Sequence, residues 1–191
     1  MKVVAINGSA RKEGNTTHLI KIVFEELQRE GIETELIELS GKNITNCLAC
    51  HKCFENKDKK CSIKTDMLNE IIEKMANAEA IILGSPTYFA NVSPEIKSVI
   101  DRAGLVGIAN DHLYKRKIGA AVVAAGRAGS TNAFDAINKF FFINQMIVPG
   151  SSYWNMGIGL HPGDVGNDEE GVRTMKVLGQ NMAWLLKKIN A

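Results

Sequence analysis

All four cysteines of the 191-residue chain lie between positions 47 and 61. Cys47-Leu48-Ala49-Cys50-His51-Lys52-Cys53 reads C-x2-C-x2-C, and Cys61 follows after seven more residues. Three thiolates two residues apart can wrap one corner of a four-iron cubane, each sulfur on a different iron, as in the matching run of ferredoxins. The fourth spacing departs from the ferredoxin pattern: it is longer, and no proline follows Cys61. Other readings stay open. A tetrahedral zinc takes well-separated C-x2-C knuckles, which suits this run poorly. Disulfides are disfavoured in a reducing compartment. The cysteines could also sit in a loop without any metal. Lys52, Lys57, Lys59, Lys60 and Lys64 outnumber Glu55 and Asp58 around them. Such a patch would offset four thiolates or dock an acidic electron carrier, or is simply a solvated loop. His51 could tune a cluster through an N–H···S bond or stand exposed.

Three further segments have compositions that suit one ligand. Gly8 to Thr17 offers Ser9, Asn15, Thr16 and Thr17, with Arg11 as a charged contact, just ahead of a helical pattern. Side-chain donors, free N–H groups and the positive end of a helix dipole together bind phosphate. No Gly-Lys-[Ser/Thr] closes this loop and no G-x-G-x-x-G is present, so a monophosphate ester is favoured over a pyrophosphate. Ser85 to Val92 places Pro86, Thr87, Tyr88, Phe89 and Asn91 where two aromatics could lie against a flat ring and polar groups could meet its heteroatoms. Gly126 and Arg127 follow a further apolar run, and glycine there permits close backbone approach. Each segment also has a plain structural reading: a capped helix, an ordinary turn on the core, a glycine-rich turn.

The elements that must position these loops alternate along the chain. Val3–Ile6, Ala80–Gly84 and Ile118–Ala125 are short apolar runs of the kind that form buried parallel strands, and Thr34–Leu39 is the candidate for the second strand. Met146–Val148 is expected as a fifth strand. Between them, one-sided apolar spacing predicts helices over about 16–29, from Thr65 as cap through Met75, over about 94–103, over 130–143, and over about 168–187. Ser93-Pro94-Glu95 is a strong start for the third of these: a capping hydroxyl, a proline at the first position, an acid in the first turn. Five strands with helical crossovers imply one doubly wound parallel sheet. In the order 2-1-3-4-5 the loops after strands one and three meet at a single crevice, where such sheets bind ligands.

Gly8-Ser9-Ala10-Arg11 with Gly14-Asn15-Thr16-Thr17 resembles the phosphate loop of the NADPH-dependent FMN reductase superfamily. Gly84-Ser85-Pro86-Thr87-Tyr88-Phe89 resembles its isoalloxazine loop. Gly126-Arg127-Ala128-Gly129 and Val148-Pro149-Gly150-Ser151 fit as well, and the cysteine run places the likeness nearest its iron–sulfur flavoprotein branch. The resemblance implies an α/β, flavodoxin-like, three-layer, doubly wound five-stranded parallel sheet with a cysteine-rich insertion after strand 2. It implies FMN with its phosphate at Ser9, Arg11, Asn15, Thr16 and Thr17. Pro86, Thr87, Tyr88, Phe89 and Asn91 would surround the ring, with Gly126 and Arg127 nearby. It also implies a homodimer or homotetramer.

The leading expectation is an FMN-dependent oxidoreductase in which Cys47, Cys50, Cys53 and Cys61 hold a [4Fe–4S] cluster. A ferredoxin-like donor would feed it, and a small acceptor such as a quinone or an oxygen species would drain it. The alternatives are an NAD(P)H-dependent FMN, quinone or azo-dye reductase without a cluster, and a flavin-binding sensor or interaction protein. No separate catalytic side chain is expected, because the flavin carries the chemistry. The chain is expected as one domain over 1–191, with the cysteine segment at 40–62 and an ordered extension, a possible oligomer contact, at 150–167. A net charge of +2, 45% hydrophobic and 23% charged residues give no sign of a nucleic-acid partner. No apolar run reaches the roughly 18 residues a membrane span needs. Met1 and Lys2 lead straight into a strand-like run, so no signal peptide is expected and the compartment is expected to be the cytoplasm.

Overall fold

The computed structural model describes residues 1–190. Five strands, β1 (Lys2–Asn7), β2 (Glu33–Glu38), β3 (Ala80–Pro86), β4 (Ile118–Ala125) and β5 (Met156–Ile158), form one parallel sheet in the order β2-β1-β3-β4-β5. Six helices accompany them: α1 (Asn15–Arg29), α2 (Lys52–Asn56), α3 (Leu68–Asn77), α4 (Pro94–Ala109), α5 (Ser130–Ile143) and α6 (Glu169–Ile189). No described helix is long and apolar enough to cross a membrane.

β1, β3 and β4 read as nearly continuous apolar runs because both faces of the sheet are covered there, whereas the edge strand β2 carries Glu33, Glu35 and Glu38 and is only partly buried. Side chains alternate across a strand, so Val4, Ile6, Ile81, Leu83, Ala121 and Val123 join the α3, α4 and α5 layer. Val3, Ala5, Ala80, Ile82, Ala120 and Val122 join the α1 and α6 layer. The three-layer architecture follows directly from that division.

The fifth strand lies later than the sequence suggests. Met146–Val148 reaches the sheet only at Ile147, which bridges to Ile118 at the far end of β4. Pro149 lacks an N–H and cannot continue a ladder. The chain leaves the sheet there and returns at Met156–Ile158, beside Val123–Ala125. Helix α3 also starts later than a Thr65 cap would require. Asp66 Oδ1 accepts from Leu68 N at 3.2 Å, so Asp66 takes the first N–H of the helix. Helix α4 outruns its expected end near Ala103. Gly107 allows close packing there: a Cβ on it would come within 2.7 Å of the Tyr114 ring and 2.9 Å of Asn144 Oδ1. The Ser93 cap holds, with its hydroxyl accepting from Ile96 N at 3.3 Å.

Candidate functional site

Two sites emerge. The first is a cavity of about 300 Å³ beyond the carboxyl ends of β1, β3 and β4, lined by Ser9, Arg11, Asn15, Thr16, Pro86, Thr87, Tyr88, Ala124, Ala125, Gly126, Gly159 and Leu160. Arg11 is the only charged residue among them, and no acidic residue occupies the first turn of α1. Gly14, which precedes that helix, brings no capping side chain, so the first-turn N–H groups keep their capacity for an anion.

Asn7 builds the floor of the first loop. It is buried, its Oδ1 accepts from Ser9 N at 3.0 Å, and its Nδ2 donates to Thr17 Oγ1 at 2.8 Å. Thr17 in turn donates to Glu38 Oε1 at 2.9 Å. Its side chain is thereby occupied away from the cavity. The Ser9 hydroxyl lies within hydrogen-bond distance of both the Arg11 N–H and carbonyl, at 3.1 Å. Thr87 is the unsatisfied group. Its Oγ1 is buried without a hydrogen-bond partner among the described residues, although its N–H donates to Ala124 O at 2.8 Å. A buried hydroxyl on a cavity wall without a partner is costly unless a ligand supplies one.

Tyr88 and Asn91 close a tight turn by mutual N–H···O bonds of 2.9 and 3.0 Å, with Phe89 and Ala90 at positive φ. That geometry throws Phe89 wholly into solvent. Asn91 Oδ1 accepts from Val92 N, and Arg127 is exposed. Thr17, Phe89, Asn91 and Arg127 therefore stand outside the cavity lining, whereas Ser9, Arg11, Asn15, Thr16, Pro86, Thr87, Tyr88 and Gly126 are brought together in it. Sequence reasoning missed Asn7, Gly159 and Leu160. The signal was the glycine spacing of Gly157-Ile158-Gly159, which the expected position of strand five concealed.

The second site is small, about 20 Å³, and all four cysteines line it together with His51, Ser62, Ile63, Arg102, Leu105 and Val106. All four thiols are free. Ala49 and His51 adopt positive φ, which turns the C-x2-C-x2-C run back on itself. Ala49 N donates to Cys47 Sγ at 3.4 Å, and Cys50 Sγ lies 3.2 Å from Ser62 Oγ. The Ser62 hydroxyl, with the Lys52 N–H, holds the Cys50 thiol below its usual pKa, while burial pushes Cys53 up. Arg102 Nε donates to Cys61 Sγ at 3.3 Å. Among the described residues no three His, Cys, Asp or Glu side chains close on one ion. A four-iron cluster needs a different arrangement, with one thiolate on each iron. Four free thiols around one cavity, served by N–H donors, fit that donor chemistry.

Comparison with known proteins follows the same lines. The sequence model of the NADPH-dependent FMN reductase family matches residues 1–161. An iron-sulfur flavoprotein of Methanocaldococcus jannaschii is 40% identical over 99% of both chains. One of Methanosarcina thermophila is 30% identical, covering 99% of this chain and 97% of its own. An archaeal flavodoxin shares the fold at TM-score 0.63 and 20% identity, over 98% of this chain and 99% of its own.

Proposed function

The chain belongs to the NADPH-dependent FMN reductase family of FMN-dependent oxidoreductases, and from that premise we propose that it is an electron-transfer flavoprotein with FMN in the first site and a [4Fe–4S] cluster on Cys47, Cys50, Cys53 and Cys61. The observation that carries this reading is the gathering of four free thiols around one cavity. Iron-sulfur flavoprotein relatives matched over nearly the whole chain support it.

FMN, when bound, exchanges electrons in pairs or singly and so links two-electron and one-electron partners. The chain supplies binding, orientation and shielding. Arg11, Ser9, Thr16 and the first-turn N–H groups of α1, that of Thr17 included, would hold the phosphate. Thr87 Oγ1 would bond to a ring heteroatom, and Tyr88 would lie against the ring. Gly126 would let the backbone approach closely. Phe89, Asn91 and Arg127 would act, if at all, from the rim. Asn15 would keep Gly159 and Leu160 in place as one wall and so limit water. At the second site, a ferredoxin-like donor would dock over the exposed Lys52, Lys57, Lys59, Lys60 and Lys64. A quinone or an oxygen species would be the small acceptor. The exposed Tyr153 and Trp154, their rings tilted at 49° with centroids 4.9 Å apart, and Phe142 rim a groove suited to contact within a homodimer or homotetramer.

Anaerobic purification followed by absorption, iron and acid-labile sulfide assays tests the proposal. A flavin spectrum over a broad shoulder, with about four irons per chain, is expected. A flavin spectrum without iron would transfer the assignment to an NAD(P)H-dependent reductase. The family match favours that second reading, and it predicts NAD(P)H turnover unaffected by replacement of all four cysteines.

A further inference from the structure

Arg102 is fully buried, and so is the side chain of its partner Asp66. Isolated charges do not persist in such a place; the pair must be saturated with hydrogen bonds. A guanidinium has five N–H donors, and Arg102 makes five contacts. Nη1 meets Asp66 Oδ2 and, at 2.9 Å, Thr45 O. Nη2 meets Asp66 Oδ1 at 3.2 Å and Ile63 O at 3.4 Å. Nε alone points at sulfur, 3.3 Å from Cys61 Sγ.

These contacts tie both ends of the cysteine segment to α4: Thr45 before Cys47, and Cys61 and Ile63 at the far end. Asp66 Oδ2 also accepts from Thr45 N at 2.9 Å. Asn69 completes the clamp, taking Cys61 N at 2.7 Å and giving Nδ2 to Cys61 O at 3.0 Å. Cys61 is the cysteine outside the C-x2-C-x2-C run. It is also the one whose sulfur receives a buried, charged donor.

We propose that Arg102 is a positioning residue for the iron–sulfur group: it holds Cys61 preformed as the fourth ligand and, through its Nε–H···S bond, raises the reduction potential of the cluster. The inference rests on the proposed [4Fe–4S] assignment. A hydrogen bond to a ligand sulfur stabilises the more negative, reduced state of the group, and such bonds are among the determinants of cluster potential. Outer partners that orient a metal ligand typically contribute 10–100-fold to metal retention.

The test uses the holoprotein and Arg102→Lys, which keeps a cation beside Asp66 but has no donor at the Nε position. The variant is expected to bind iron and sulfide, to titrate at a more negative cluster midpoint than wild type, and to lose iron to a chelator about tenfold faster. A folded variant with unchanged midpoint and unchanged extraction rate overturns the proposal. Wild-type protein labelled with ¹⁵N-arginine needs no substitution. Pulsed EPR of its reduced cluster should show coupling to one arginine nitrogen, and no coupling overturns the proposal even if Arg102→Lys does not fold. Iron and sulfide are assayed first on wild type. Their absence defeats the cluster assignment and this inference together, whereas a loaded wild type without the arginine effects defeats this inference alone.

Discussion

The Asn15 amide bridges two distant segments: Nδ2 donates to the Gly159 carbonyl at 2.8 Å, and Oδ1 accepts from Gly163 N at 2.8 Å. Both ends of the side chain are used, so Asn15 serves the first site as a brace for its outer wall. Each such bond contributes about 0.5–1.5 kcal/mol. We predict that Asn15→Ala weakens FMN binding roughly tenfold, measured by quenching of flavin fluorescence. Riboflavin, which lacks the phosphate, should lose affinity by a similar factor. A loss confined to FMN would mean that Asn15 contacts the phosphate directly.

Thr87 predicts opposite signs for two measurements on one variant. In the flavin-free protein its buried hydroxyl has no partner among the described residues, so Thr87→Val removes a desolvated polar group at nearly constant volume. Unfolding by urea should show equal or slightly higher stability. If the hydroxyl meets the flavin ring, FMN affinity should fall about 2–10-fold, the worth of one hydrogen bond. Unchanged affinity would take Thr87 out of the binding set.

Gly129 and Gly31 separate backbone strain from collision. Both have positive φ, +87° and +75°. A Cβ at Gly31 meets nothing within 4 Å, whereas one at Gly129 would lie 2.9 Å from Ala90 Cβ and 3.0 Å from Ala90 Cα. Gly31→Ala should cost only the left-handed penalty, about 1–2 kcal/mol. Gly129→Ala should cost more and also weaken FMN binding, because the Tyr88–Asn91 turn beside the cavity must shift. Thermal unfolding and flavin titration of the two variants check this. Equal destabilisation with intact binding would disprove the coupling.

The sheet and its crevice were legible because buried parallel strands leave apolar runs and loop chemistry leaves polar clusters. The cysteine spacing was legible for the same local reason. The wall at Gly159 and Leu160 was not, because Val123–Ala125 selects its β5 partner through tertiary pairing rather than local pattern. Ile147 has the more strand-like neighbours, yet Pro149 turns the chain away after a single bridge. Nor could sequence show that Arg102 serves Cys61. A lone arginine on a helix reads as solvated until α4 is seen to be covered by the cysteine segment.

Asp66 makes the buried pair testable by pH. Burial alone would raise its carboxyl pKa, but Arg102 and the N–H groups of Thr45 and Leu68 outweigh burial and hold it below the ordinary 3.8. A depressed carboxyl contributes stability that is complete above its unfolded value and disappears as pH falls through the folded one. Asp66→Asn removes that contribution and strands a buried guanidinium, a loss of about 3–5 kcal/mol at neutral pH. In metal-free protein the stability gap between wild type and Asp66→Asn should stay constant from pH 7 down to about 5 and shrink below about 4. Urea unfolding at stepped pH measures the gap directly. The comparison cancels the titration of every other acid, since both proteins carry them. A gap that stayed constant to pH 2.5 would mean that Asp66 titrates alike in the folded and unfolded chains, and that Arg102 is balanced by something other than its charge.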